Sequence, residues 1–173
     1  VYEHLRGKIP YILNGGHCTV GVESTILGWN EDEEPEIYRP GGIAVEAIEE
    51  VLNQKVKLKK NITENPNSPG QLKSHYATHT PLHMGHTTEL LRRFEDDKIV
   101  LINFTEFNPD VDKEYQFILS PSGSLDEAAK NLFRILRQAD ALKADVILAE
   151  PLPNKGLGIA INDRLERAQF SMK

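Results

Sequence analysis

At 173 residues the chain is long enough for one domain or two small ones. Its 26 acidic and 20 basic residues give a formal charge of -6, which argues against a strong electrostatic footprint for nucleic acid. Cys18 is the single cysteine, so an intramolecular disulfide is excluded and a reducing, cytoplasmic setting is expected; no apolar run approaches a membrane span.

Val1 to Leu5 reads as the tail of a helix, and Ile9 to Leu13 is a short apolar run closed by the turn signal Asn14-Gly15-Gly16. Val20 to Leu27 predicts a strand, in which Gly21 marks a bulge or a close backbone approach. The acidic run Glu31 to Glu34 predicts a solvated hairpin tip, and Ile37-Tyr38 opens the returning strand towards Arg39-Pro40-Gly41-Gly42. Val45, Ile48, Val51 and Leu52 recur at helical spacing. Lys55 to Lys60 alternates charged and apolar residues, as an edge strand does.

From about Asn61 to Pro81 apolar periodicity is lost. Asn65-Pro66-Asn67-Ser68-Pro69-Gly70 is a string of turn formers, yet Leu72, His75 and Tyr76 are contact-makers rather than linker residues. The composition predicts a loop that docks.

After Pro81 the patterns alternate. Pro81 to Met84 predicts a strand and Thr87 to Phe94 a helix capped near Thr87 or Thr88. Ile99 to Ile102 and Asp145 to Glu150 carry the continuous apolar runs of strands buried on both faces, with a further strand over Tyr115 to Leu119. Ser124 and Glu127 form a capping box for a helix whose apolar face is Leu125, Ala128, Ala129, Leu132, Phe133, Leu136 and Ala139. Gly156-Leu157-Gly158 precedes a final helix. The expected unit is α/β with a largely parallel sheet, Val100 to Ile102 and Val146 to Leu148 lying on its central strands.

Several motifs admit both a chemical and a structural reading. Ser24 and Thr25 point to opposite faces of a strand, so at most one faces a given pocket; the alternative is that both satisfy neighbouring backbone. Arg39-Pro40-Gly41-Gly42 puts a guanidinium at a glycine turn ahead of a helix N-terminus, which suits phosphate, or is an ordinary αL turn. His75, His79, His83 and His86 are spaced by three or four, but Pro81 forbids a continuous helix through them and no zinc pattern results. Gly156-Leu157-Gly158 lacks the third glycine of a dinucleotide loop.

Asn14-Gly15-Gly16, Cys18, Val20-Gly21-Val22-Glu23-Ser24-Thr25-Ile26, Arg39-Pro40-Gly41-Gly42, Ser68-Pro69-Gly70 and Ser74-His75-Tyr76-Ala77 occur in that order. Together they resemble the two-domain threonylcarbamoyl-adenylate synthases. Leu125 to Phe133, Ala149-Glu150-Pro151 and Gly156 to Leu165 are similar to that family's C-terminal domain. The resemblance implies an incomplete YrdC-type α/β domain over residues 1–60, a linker or lid over 61–80, and a Rossmann-like α/β C-terminal domain over 81–173.

It also implies chemistry: L-threonine, bicarbonate and ATP with magnesium, giving threonylcarbamoyl-AMP and pyrophosphate for tRNA threonylcarbamoyladenosine. By the same resemblance Ser24 would contact L-threonine, Arg39 would contact ATP, and Tyr76 with His75 would cover the nucleotide from the linker. A downstream tRNA-modifying transferase is the implied partner. Asn14 stands where the family has Asp and Thr78 where its linker has Pro. The family's early basic and Ser/Asn motifs are not found, so the expectation is a C-terminal fragment that makes no threonylcarbamoyl-AMP by itself. The alternative of another class is a non-catalytic α/β module that senses a nucleotide.

Overall fold

Each of the two sheets takes its strand directions from its connections. The computed structural model describes residues 2–16, 18–59 and 76–169; His75 and the Ser68 to Ser74 motif lie outside the described residues. In chain order the elements are α1 (Tyr2–Leu5), β1 (Ile26–Trp29), β2 (Pro35–Arg39), α2 (Val45–Leu52), β3 (Lys57–Leu58), β4 (Leu82–Met84), α3 (Thr87–Arg93), β5 (Ile99–Asn103), β6 (Gln116–Ile118), α4 (Leu125–Ala141), β7 (Val146–Ala149) and α5 (Leu157–Ala168).

The first sheet has the order β1-β2-β3. β1 and β2 form the expected hairpin, and its tip is held by Asn30, whose Oδ1 accepts from the amides of Asp32 (3.0 Å) and Glu34 (2.8 Å). β3 pairs parallel to β2 at the edge, where alternating lysines keep the outer row of backbone groups solvated. The strand expected from Val20 starts only at Ile26. Gly21 explains the delay: its φ is +86°, and a Cβ there would fall on the backbone of Ala129 and Lys130 in α4. The segment is spent on close approach to a helix instead of on strand pairing.

The second sheet has the order β4-β7-β5-β6 and every pairing is parallel. β5 and β7 are the inner strands, and Val100, Leu101, Ile102, Ile147 and Leu148 are fully buried there. The faces alternate as the pleat requires. Leu101, Val146 and Leu148 meet α3, while Val100, Ile102, Ile147 and Ala149 meet α4 and α5. Helices on both faces are what makes continuous apolar runs tolerable in these strands.

Two helix expectations need correction in detail. Ser124 Oγ does accept from the Glu127 amide (3.3 Å), but the Glu127 carboxylate turns back to the hydroxyls of Ser120 and Ser122, both at 2.6 Å, so only half of the capping box forms. In α2, Val45 is buried but Val51 is 85% exposed, so the apolar face is narrower than its spacing suggested. The small core of Ile37, Val45 and Val56 is completed by Ile159 of α5, so the first sheet leans on a helix that also covers the second sheet. No helix among the described residues is long and apolar enough to cross a membrane.

Candidate functional site

Of the residues singled out from sequence, Ser24, Arg39 and Tyr76 lie together where the first sheet meets α5. Segments 23–25 and 39–43 run side by side there. Gly42 donates its amide to the Glu23 carbonyl (2.8 Å), and Thr25 Oγ1 both donates to the Ile43 carbonyl (2.7 Å) and accepts from the Ile43 amide (3.0 Å). Gly41 is required for this contact, because a Cβ would land on the backbone of Glu23, Ser24 and Thr25. Neither Gly41 nor Gly42 has a positive φ, so this turn is made by close approach and not by an αL residue. Amides 42 and 43 are thus engaged within the protein.

Arg39, almost wholly buried, donates from Nε (3.2 Å) and Nη2 (2.9 Å) to the Ser24 carbonyl, and from Nη2 to Ser24 Oγ (3.2 Å). Thr25 is thus the hydroxyl that satisfies backbone. Ser24 is exposed, its oxygen is oriented by a guanidinium, and no described residue accepts from its hydroxyl. A hydroxyl held in that way can donate to a polar ligand.

Behind this pair lies a network that the sequence reading did not assign. Arg164 of α5 is fully buried; its Nε (3.1 Å) and Nη2 (2.9 Å) donate to Glu23 Oε2, and its Nη1 donates to the Pro40 carbonyl (2.7 Å) and Asp163 Oδ2 (2.8 Å). The Tyr76 hydroxyl donates to Glu23 Oε1 at 2.6 Å. The Tyr76 ring lies under the Arg164 guanidinium (5.6 Å to centroid) and against Phe133 of α4 (5.3 Å). Asp163 also accepts from Arg167, at 2.9 Å from Nη2. Glu23 and Asp163-Arg164 stood inside matched motifs, which was the available signal; nothing in either stretch says that the two pair.

The electrostatics follow from burial and partners. Burial works against ionisation of Glu23, but the Tyr76 hydroxyl, a backbone hydrogen bond and the Arg164 guanidinium outweigh it and hold the carboxyl below its ordinary value. Burial, together with the bond to Glu23, pushes the Tyr76 phenol up to about 12. Glu23 is therefore an anion and Tyr76 a neutral donor near neutral pH.

The other candidates are structural. His79 Nδ1 lies 2.9 Å from Asp140 Oδ2, and Asp140 Oδ1 accepts from the Thr80 amide (2.8 Å), tying the start of β4 to α4. The His83 ring packs on Phe94, and His86 stands at the N-cap of α3 without a capping side-chain bond. Gly156 caps α5 with φ +51° and donates to Glu46 Oε1 of α2 (3.1 Å), while Gly158 lies against the Pro153 carbonyl. Among the described residues no group of three His, Cys, Asp or Glu could hold a metal ion.

A family model described as threonylcarbamoyl-AMP synthase, C-terminal domain, matches residues 43–169. Threonylcarbamoyl-AMP synthase of Pyrococcus abyssi is 32% identical over 182 residues, covering 97% of this chain and 52% of the relative. The Bacillus subtilis protein of the same name is 32% identical, covering 97% and 51%. The chain spans about half the length of the curated relatives it matches. A crystal structure of P. abyssi Sua5 complexed with L-threonine superposes with a TM-score of 0.77 at 31% identity, over 97% of this chain and 52% of that one. A variant of that protein with an adjacent His and Tyr replaced by Ala gives 0.70 at 29% identity, over 90% and 47%.

Proposed function

Because the chain belongs to the threonylcarbamoyl-AMP synthase C-terminal-domain family, we propose that it serves an L-threonylcarbamoyladenylate synthase, which joins L-threonine, bicarbonate and ATP into threonylcarbamoyl-AMP for tRNA modification. The observation that carries the reading is that Ser24, Arg39 and Tyr76, far apart in sequence, meet at one place, where Arg39 holds Ser24 and Tyr76 holds the neighbouring Glu23. In this reading residues 1–60 belong to a YrdC-type domain, 61–80 to a lid, and 81–173 to the accessory domain. Ser24 donates its hydroxyl to L-threonine. Arg39 and Tyr76, with His75, face the nucleotide, and Tyr76 offers its ring while Glu23 holds its hydroxyl.

Magnesium enters as a companion of ATP and not as a resident ion, because Glu23 and Asp163, the two carboxylates of the site, are each committed to arginine. By itself the chain makes no threonylcarbamoyl-AMP, since orienting threonine, carbonate and the α-phosphate together takes more groups than Ser24, Arg39 and Tyr76 supply. A downstream transferase would receive the adenylate.

The test is an NMR titration of L-threonine into the chain and into Ser24→Ala. Shifts at the Ser24 and Gly42 amides in the wild type that vanish in the variant support the reading. L-Threonine that perturbs neither amide overturns it.

A further inference from the structure

We infer that Arg164 is a positioning residue: from α5 it sets the geometry of the two segments that carry Ser24 and Arg39. The inference rests on the functional reading above only for the identity of the ligand. Three observations carry it. The side chain is fully buried, yet its donors leave its own helix neighbourhood and reach Glu23 and the Pro40 carbonyl. Those acceptors immediately precede Ser24 and follow Arg39, so a shift of the guanidinium moves both candidate ligand contacts together. The loops themselves are joined by Gly42 to Glu23 and by Ile43 to Thr25, and one clip therefore positions the pair as a unit.

The chemistry explains why arginine stands here. A forked, permanently charged guanidinium meets a carboxylate with two N–H groups and still has donors for a carbonyl and for Asp163. Lysine could keep the charge near Glu23 but not span Glu23, Pro40 and Asp163 at once. Tyr76 adds a second dependence, because its hydroxyl holds the other Glu23 oxygen and its ring lies under the guanidinium. Helix α5 is thus built into the substrate-facing segments through one side chain.

The test uses the full chain with Arg164→Lys, Arg164→Met and, as the variant at a partly exposed position that leaves the α5 core intact, Glu23→Gln. Amide hydrogen exchange is followed at Gly42 and Ile43, with Ile102 and Leu148 of the inner strands as internal reference, alongside L-threonine affinity. We expect Gly42 and Ile43 to exchange about tenfold faster relative to Ile102 and Leu148 in Arg164→Met and Glu23→Gln than in the wild type, and less so in Arg164→Lys. L-Threonine affinity should fall in the same order. Faster exchange spread equally over Ile102 and Leu148 would make Arg164 a core residue only, and unchanged Gly42 and Ile43 in a folded Glu23→Gln would overturn the inference outright. If the wild type shows no L-threonine binding, the functional reading fails while the exchange comparison still decides the positioning role.

Discussion

Glu23 and Arg164 are 141 positions apart in the chain and lie 2.9 Å apart from Oε2 to Nη2. The pair joins the irregular segment ahead of β1 to α5, and Tyr76, Pro40 and Asp163 bond to one or other of its members. The guanidinium is fully buried, while about a third of the Glu23 side chain remains exposed. Breaking a buried pair from one side leaves the partner uncompensated, so Arg164→Met should destabilise the chain by about 3 kcal/mol. A urea titration checks it; a loss below about 0.5 kcal/mol, the level of an ordinary surface change, would contradict it.

Acid should loosen the same junction. The Glu23 carboxyl titrates below its ordinary 4.5 when folded, because the Tyr76 hydroxyl, backbone and Arg164 outweigh burial. A lowered folded pKa means stability fully present above the unfolded value and lost as pH falls through the folded one. Unfolding free energy should therefore decline as pH drops below 4.5, with Glu23→Gln removing part of that slope. Only part, since Asp140 is held low too, by the Thr80 amide and His79 against its own burial.

Alkali acts on the other partner. Tyr76 is raised from 10.0 to about 12 by burial and then by the bond to Glu23. A raised phenol contributes stability that is intact below the unfolded value and lost as pH climbs through the folded one, a window from 10.0 to about 12. Ultraviolet titration of the five tyrosines should show a late phenolate that disappears in Tyr76→Phe. A titration with no late component would place Tyr76 in water.

Tyr76 also separates packing from ligand covering. Tyr76→Phe keeps the contact with Phe133 and loses one hydrogen bond to a carboxylate, worth about 1.5 kcal/mol at this half-buried position. Tyr76→Ala loses the ring as well. In a synthase that carries this chain, ATP affinity should fall in both variants by more than the melting temperature alone would suggest. Unchanged ATP affinity with a large drop in melting temperature would make Tyr76 a packing residue and end the lid reading.

Gly21→Ala probes the close approach that replaces the expected strand start. The residue has φ +86° and its missing Cβ leaves room for the α4 backbone. Strain and overlap add, so the cost should exceed about 1 kcal/mol, and repair requires α4 to move. A melting temperature equal to that of the wild type would show that segment 20–22 has another place to go.

Much of this protein could be read from local pattern. The double-sided runs at Val100 to Ile102 and Val146 to Leu148 imply inner parallel strands because only a sheet covered by helices on both faces buries successive residues. Ser124 marks the start of α4 because its hydroxyl serves an amide three residues on. The hairpin over Glu31 to Glu34 follows from a polar tip between two strand patterns. Such features are settled within a few residues, and the sequence by itself determined them.

Partnership across the chain is another matter. Gly21 announced either a bulge or a close approach, and only the position of α4 chose between them. Ser24 and Thr25 looked alike until Ile43 engaged one hydroxyl and Arg39 oriented the other. The half-formed capping box turns on Ser120 and Ser122, whose loop brings competing hydroxyls to Glu127. The pairing of Glu23 with Arg164 has no local trace at all, since neither charge is unusual where it stands. Burial of a guanidinium is tolerable only where carboxylates and a carbonyl meet it, and that meeting is a property of how the units pack. Tertiary structure alone decided it.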